Sequence, residues 1–349
     1  MTSIISFIII LSILVLVHEL GHFLVARKFG IKVEEFGFGY PPKIWGKRVG
    51  ETIYSINWLP FGGFVRMLGE DSSGQVENKG ELKRAFFNQS KRVRVAVLLA
   101  GVIMNFLFGV VLFGAIYAKI GIPEEVDYLV ITGIAEDSPA QKAGLKIEDK
   151  IINVGKMNEF IKDVSSYAGR EYELELKDGR KVVVIPRTKE ETPEGQGALG
   201  VAITNTDMVM YPYWQRPFRG MLTGLREAMA WGKDIFESLT MMIVRLFKGS
   251  VPQDVAGVVG IYQISKDVSK EGVLAILQFM AILSINLSIL NLLPIPALDG
   301  GRLLFVVVEA ITRKRIKPQV EQIVHLVGMA LLLGLMVLVT IGDVKRLIG

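Results

Sequence analysis

Within the run His18-Glu19-Leu20-Gly21-His22, two imidazoles and a carboxylate fall inside a single apolar stretch. Histidines four residues apart on a helix share a face, with about 5–6 Å between their Cβ atoms, so both rings can reach one zinc ion. Glu19 projects beside them as a candidate general base for a metal-assisted hydrolysis. No charged residue occurs from Ser3 to Val17, and Phe23, Leu24 and Val25 carry the apolar run past the motif. A charge at the centre of a spanning helix costs roughly 2.5–3.5 kcal/mol, so three ionisable side chains in one turn call for compensation. A metal would supply it. The plainer alternative is a pair of hydrogen-bonded core histidines.

A catalytic zinc takes three protein ligands and keeps a position for water. The chain has no cysteine, so any such site must use nitrogen and oxygen. His325, the remaining histidine, sits among Ile323, Val324, Leu326 and Val327 and reads either as a ligand or as a polar spot near a helix start. A second candidate lies in Asn291-Leu292-Leu293-Pro294-Ile295-Pro296-Ala297-Leu298-Asp299-Gly300-Gly301. Two prolines break a helix there, two glycines permit a tight turn, and Asp299 lies between them. Non-helical backbone at membrane depth survives only when buried in protein or lining a cavity, which suits a loop delivering a carboxylate to a pocket. An Asp-Gly turn at the membrane surface is the alternative.

Positioning these groups falls to a membrane architecture. Half of the residues are hydrophobic, concentrated near 3–26, 94–118, 273–293 and 323–342, each roughly the 20 residues a spanning helix requires. Four spans are expected. The first lacks a basic leading region and a small-residue cleavage site and is read as retained. Lys and Arg crowd the connection between the first two spans (Arg27, Lys28, Lys32, Lys43, Lys47, Arg48, Lys83, Arg84, Lys91, Arg92, Arg94) and the one after the third (Arg302, Arg313, Lys314, Arg315, Lys317). Both are therefore expected on the cytoplasmic side. These flanks account for the net charge of +5 and leave no case for nucleic acid. After the first span, Thr52 to Trp58 and Phe64 to Leu68 read as strands around a turn at Leu59 to Gly63, a hairpin whose edge could pair with an unwound peptide. Strands are also expected in YLVITGI, DKIINVG, YELELK and KVVVIPR, with a short helix at SPAQKAG. From Arg219 to Lys248 the charges Arg226, Glu227, Lys233, Asp234 and Glu237 forbid a span and suggest an amphipathic helix on the membrane.

HELGH in the first span together with NLLPIPALDGG closing the third resembles the site-2 protease family of intramembrane zinc metalloproteases, in the bacterial group of the regulator of sigma-E protease, over nearly the whole chain. The resemblance implies a Zn2+ site of His18, His22 and Asp299, with Glu19 activating water and Asn291 holding substrate or the oxyanion. It implies that Gly37, Phe38 and Gly39, with the following hairpin at Phe64 and Val65, match membrane-reentrant β elements that present substrate. Asn105 in AGVIMNF resembles a position near the active site, although a proline common in that motif is replaced here by Val102 or Ile103. SPAQKAGLKIEDKIINV resembles a PDZ domain, and AGVVGIYQISKD a glycine-rich segment that precedes the third span.

The expected fold is a multi-span α-helical membrane protein with four transmembrane helices, a membrane-associated β-hairpin and an inserted β-rich PDZ-like domain. Its parts are 1–118 with the first two spans, 123–190 the extracytoplasmic PDZ-like domain, 191–272 a linker and amphipathic helical segment, and 273–349 the last two spans. The expected activity is zinc-dependent hydrolysis of peptide bonds in or near the membrane segment of single-span proteins, with anti-sigma factors or signal-peptide remnants as the substrates the resemblance names. The expected setting is the bacterial inner membrane, among lipid, with the active site toward the cytoplasm and the PDZ-like domain contacting substrate or partner peptides. A silent PDZ scaffold is disfavoured by the intact Glu19, and a transporter by the lack of an inverted repeat.

Overall fold

The computed structural model describes residues 2–70, 79–152, 154–248, 257–316 and 318–348. Where a chain meets hydrocarbon, every backbone polar group must be satisfied within the protein, so long apolar runs become helices. Among the described residues four helices are long and apolar enough to cross a membrane: Ile4–Lys28, Lys91–Ile120, Val273–Leu292 and Gln319–Asp343. In chain order the elements of the first part are α1 (Thr2–Lys28), β1 (Val33–Val49), β2 (Thr52–Met67), α2 (Lys79–Leu82) and α3 (Lys91–Ile120). Next come β3 (Ile122–Ile134), α4 (Pro139–Lys142), β4 (Lys150–Ile152), α5 (Met157–Ser166), β5 (Tyr172–Leu176), β6 (Lys181–Val184) and β7 (Val201–Val209). The chain ends in α6 (Arg216–Phe247), α7 (Val258–Glu271), α8 (Val273–Leu292), α9 (Asp299–Thr312) and α10 (Pro318–Ile348). Two compact units result, one formed by Met1–Ile116 with Gly220–Gly349, the other by Tyr117–Arg219.

In the first unit α3 is fixed against α8 by two buried serines. Ser284 Oγ donates to the Asn105 carbonyl (2.7 Å) and Ser288 Oγ to the Val102 carbonyl (2.8 Å). Such bonds are worth only about 0.6 kcal/mol each between membrane helices, so they set register more than stability. On the other side of α3, a Cβ on Gly21 of α1 would stand 2.4 Å from the Ala100 carbonyl oxygen. The glycine of the HELGH run is thus what lets α1 and α3 touch backbone to backbone.

The β region departs from a simple hairpin of 52–58 and 64–68. Its tight turn falls at Gly50, and β1 pairs with β2 twice: Glu35 to Phe38 have partners both in 53–56 and in 63–66. β2 must therefore double back, and it does so near Gly62, where φ is +78°. The central run was hidden in the sequence because its buried alternate positions carry Glu35, Gly37 and Gly39 instead of large apolar side chains. Glu35 is neutralised there by Lys43 at 2.8 Å and Arg66 at 3.6 Å. Beyond it, Ile44, Trp45, Val49, Ile56 and Trp58 are exposed.

The second unit is an antiparallel sheet in the order β6-β5-β4-β3-β7. Its core comprises Leu129, Ile131, Leu145, Ile151, Phe160, Val164, Leu174, Leu176, Val184 and Leu199. Two elements were not foreseen. α5 buries Phe160 and Val164, one turn apart, from a decapeptide of mixed polar and apolar residues. β7 lies inside 191–272, the stretch expected to be linker and amphipathic helix, and pairs with β3 from Ile122↔Val209 to Ile134↔Val201. Its polar residues suit a sheet edge, which obscured it as a strand.

α6 is the helix expected near 219–248. It does not simply lie on a surface: a Cβ on Gly224 would be 2.5 Å from the Gly114 amide nitrogen of α3, and one on Gly232 would touch Ile285 and Ile289 of α8. α7, the glycine-rich segment, begins with its Gly260 N–H donating to Asp343 of α10 (2.9 Å) and packs Tyr262 edge-on against Phe7.

Candidate metal centre

The helical spacing of His18 and His22 puts both rings on the face of α1 that meets α3, buried to 8% and 6% exposure, with Nε2 atoms 3.1 Å apart. His22 Nδ1 lies 2.8 Å from the Val97 carbonyl oxygen. A carbonyl can only accept, so Nδ1 carries the proton and Nε2 keeps its lone pair for a metal. His18 Nδ1 stands 3.5 Å from the amide of Asn105, whose Oδ1 is buried without a hydrogen-bond partner among the described residues. Amide oxygen and nitrogen are interchangeable in placement. Turning the amide gives that oxygen the Nδ1 proton of His18 and frees Nε2 of His18 in the same way. Asn105 thus stands behind the first histidine.

Asp299 opens α9, where the helix dipole favours a carboxylate. Its Oδ2 lies 2.9 Å from His18 Nε2 and 3.2 Å from His22 Nε2. The chain reaches that point through Leu293 to Leu298, a break enforced by Pro294 and Pro296. Ala297 takes a left-handed φ of +75°, a conformation costing about 1–2 kcal/mol for a residue with a side chain. Gly300 and Gly301 make the turn possible, since a Cβ on either would fall within 2.4 Å of a loop carbonyl oxygen. α9 is fastened at its start by Arg302, which pairs with Glu70 just after β2, and at its end by Glu309, whose carboxylate meets Arg94 of α3 at 2.6 Å.

Among the described residues, His18, His22 and Asp299 form the cluster able to hold one metal ion. Tetrahedral ligands at about 2.0–2.1 Å from zinc are separated by about 3.3 Å, close to the three separations of 2.9, 3.1 and 3.2 Å. Those two nitrogens apart, Asp299 Oδ2 is buried with no hydrogen-bond partner among the described residues. Two imidazoles and a carboxylate with no thiolate are a donor set that suits zinc. His325 is not in this cluster; its Nδ1 accepts from the Ala297 N–H at 2.9 Å.

Glu19 projects from the same turn toward the β region, where its Oε2 accepts the Val65 N–H at 3.0 Å. The run around Val65 follows α1 closely: Ser12 Oγ donates to the Pro60 carbonyl (2.7 Å), and Gly62 packs on Val15. Val65 is thereby held against Glu19, with Phe64 next to it in the chain. Gly37 and Phe38 lie in the inner run, flanked on both sides by β2, and Gly39 follows them with φ +75°, where a Cβ would stand 2.4 Å from the Leu59 carbonyl oxygen. Asn291 lies half-buried in the last turn of α8, ahead of the broken loop.

One residue escaped the sequence reading. A Cβ on Gly101 of α3 would stand 2.4 Å from His22 Nε2 and 2.8 Å from His18 Nε2. Its only signal was a glycine in the AGVIMNF run, one helical turn before Asn105.

Apolar helices enclosing a buried His-His-Asp cluster with a glutamate one residue from a ligand define a membrane metallopeptidase. The chain belongs to Peptidase family M50, the site-2 protease family, whose family model matches residues 6–335. It is similar to the zinc metalloprotease RasP of Geobacillus kaustophilus, with 32% identity covering 99% of this chain and 98% of the relative. It is also similar to the RasP of Bacillus licheniformis at 31%, covering 99% and 100%, and to the regulator of sigma-W protease RasP of Bacillus subtilis at 30%, covering 99% of each. The protein is a multi-pass zinc metalloprotease of the site-2 type.

Proposed function

We propose that this protease cuts single-span membrane proteins in or near their membrane segment, using a zinc ion held by His18, His22 and Asp299. The observation that carries this reading is the convergence of those three ligand atoms beside Glu19, on two helices brought together across more than half of the sequence. Bound zinc supplies Lewis acidity, polarising the scissile carbonyl and acidifying a water. Glu19 takes the proton of the attacking water and passes it to the leaving amine. Asn291 donates its amide to the developing oxyanion or to the substrate main chain, a contact worth about 2.7–4 kcal/mol in comparable sites.

A peptide bond within a helix is shielded, so the substrate must be extended before it is cut. The outer run of β2 at Phe64 and Val65 offers an edge for strand addition, with the Val65 N–H already directed at Glu19. Gly37, Phe38 and Gly39 hold that edge in place, and Asn105 orients His18. The Lys and Arg distribution supports a site toward the cytoplasm of a bacterial cell membrane, with the second unit on the opposite side. That unit, sequence 123–190 extended by β7, reads as a PDZ-like domain that screens trimmed substrates or partner peptides, while 1–118 and 273–349 carry the spans and the rest of 191–272, after β7, leads to the third span. The Bacillus subtilis relative is named for regulating sigma-W, which favours an anti-sigma factor as substrate.

The test is cleavage of a model single-span substrate by purified protein in detergent, with products mapped by mass spectrometry. Cuts inside or next to the membrane segment that vanish in Glu19→Gln are expected. Cuts confined to soluble regions, or full activity in Glu19→Gln, would overturn the reading.

A further inference from the structure

We infer that His325 is a positioning residue for Asp299, acting through the main chain of the loop that precedes it; this rests on the reading of Asp299 as a metal ligand. Ala297, two residues before Asp299, is held at φ +75°, a region that residues with side chains seldom occupy and leave readily when unsupported. Its N–H donates to His325 Nδ1 at 2.9 Å. A short, stiff side chain with an acceptor nitrogen is what that bond needs, and nothing else in the neighbouring Ile323-Val324-His325-Leu326-Val327 run provides one.

Two further contacts make α10 a clamp on this loop. Gly328, one turn beyond His325 and on the same face, lies so near the loop that a Cβ there would be 2.2 Å from Pro296 Cβ. The His325 ring also rests on Phe305 of α9, centroids 5.7 Å apart. The last apolar helix therefore grips Pro296, Ala297 and the helix that Asp299 begins. If Ala297 relaxed, the first turn of α9 would rotate and Oδ2 would leave the imidazole nitrogens. A polar group inside the apolar run Ile323 to Val327 of α10 is thereby explained without being a ligand: it sets where the third ligand stands, and it makes the position of α10 a determinant of metal retention.

The test uses full-length protein in detergent loaded with cobalt(II), whose ligand-field spectrum reports ligand geometry and whose release to a chelator reports retention. His325→Phe keeps a ring against Phe305 but removes the acceptor, and it should release metal about tenfold faster, the lower end of what lost ligand supports cost, with an altered spectrum. His325→Asn, whose Oδ1 occupies the place of Nδ1, should restore both. If His325→Phe does not fold, His325→Leu takes its place against His325→Asn. Wild-type release and spectrum without the acceptor, or an Asn variant no better than Phe, would overturn the inference. Asp299→Ala separates the two levels: if it retains wild-type metal binding, the ligand reading itself fails, whereas loss of metal there with no effect at His325 sinks only the positioning role.

Discussion

Gly101 and His22 are so close that a single methyl group on the glycine would lie 2.4 Å from Nε2 of the histidine. Both helices are pinned, α1 by the Gly21 contact and α3 by its serine bonds to α8, so neither can withdraw cheaply. Gly101→Ala should weaken zinc binding on the order of 10- to 100-fold, as loss of ligand support commonly does, measured by competition with a chelator. Unchanged affinity would mean that α3 yields.

Asn105 should act on His18 through its oxygen. Asn105→Leu removes the acceptor for the Nδ1 proton and should lower zinc affinity by about tenfold or more, whereas Asn105→Asp, which keeps an acceptor, should stay near wild type. Equal losses in the two variants would assign the amide NH2, not the oxygen, to that contact.

Arg94 and Glu309 form an ion pair with side chains 8% and 5% exposed. Removing one partner strands a buried charge, at a cost of about 3–5 kcal/mol. Arg94→Met and Glu309→Gln should each lower the thermal midpoint sharply, and Arg94→Met with Glu309→Leu should recover much of it. A double variant as unstable as the singles would show that geometry, not charge burial, is what the pair supplies.

In the second unit, burial disfavours the charge of Asp207, but hydrogen bonds from Lys150 and from Tyr128 (2.6 Å) outweigh this and hold its carboxyl below the ordinary range. Because the folded value lies below the unfolded one, of about 3.9, the stabilisation is complete above that and is lost as pH falls through the folded value. Asp207→Asn should melt earlier at neutral pH and lose less on acidification below about pH 4. Melting curves that shift in parallel at every pH would contradict this.

The sequence exposed the parts governed by strong local rules. His18, Glu19 and His22 share a helical turn, and Pro294, Pro296, Gly300 and Gly301 announce a break that must deliver Asp299 somewhere. The four long apolar helices lie where composition put them. What stayed hidden depends on packing across distance. Gly101 matters only because α3 passes the imidazoles, His325 only because α10 meets Ala297, and the central strand at Glu35 to Phe38 only because both sides of it are covered. β7 was obscured by the consecutive polar residues Thr204 to Asp207 in its middle.

The most direct measurement is zinc K-edge absorption fine structure on the purified Glu19→Gln protein, in which the metal site should remain intact while substrate is spared. The expected first shell holds two imidazoles with oxygen ligands, and it should lose an oxygen contribution or the metal altogether when Asp299→Ala is added. A shell of three imidazoles, which would bring in His325, or an unchanged shell without Asp299, would contradict the assignment of the centre.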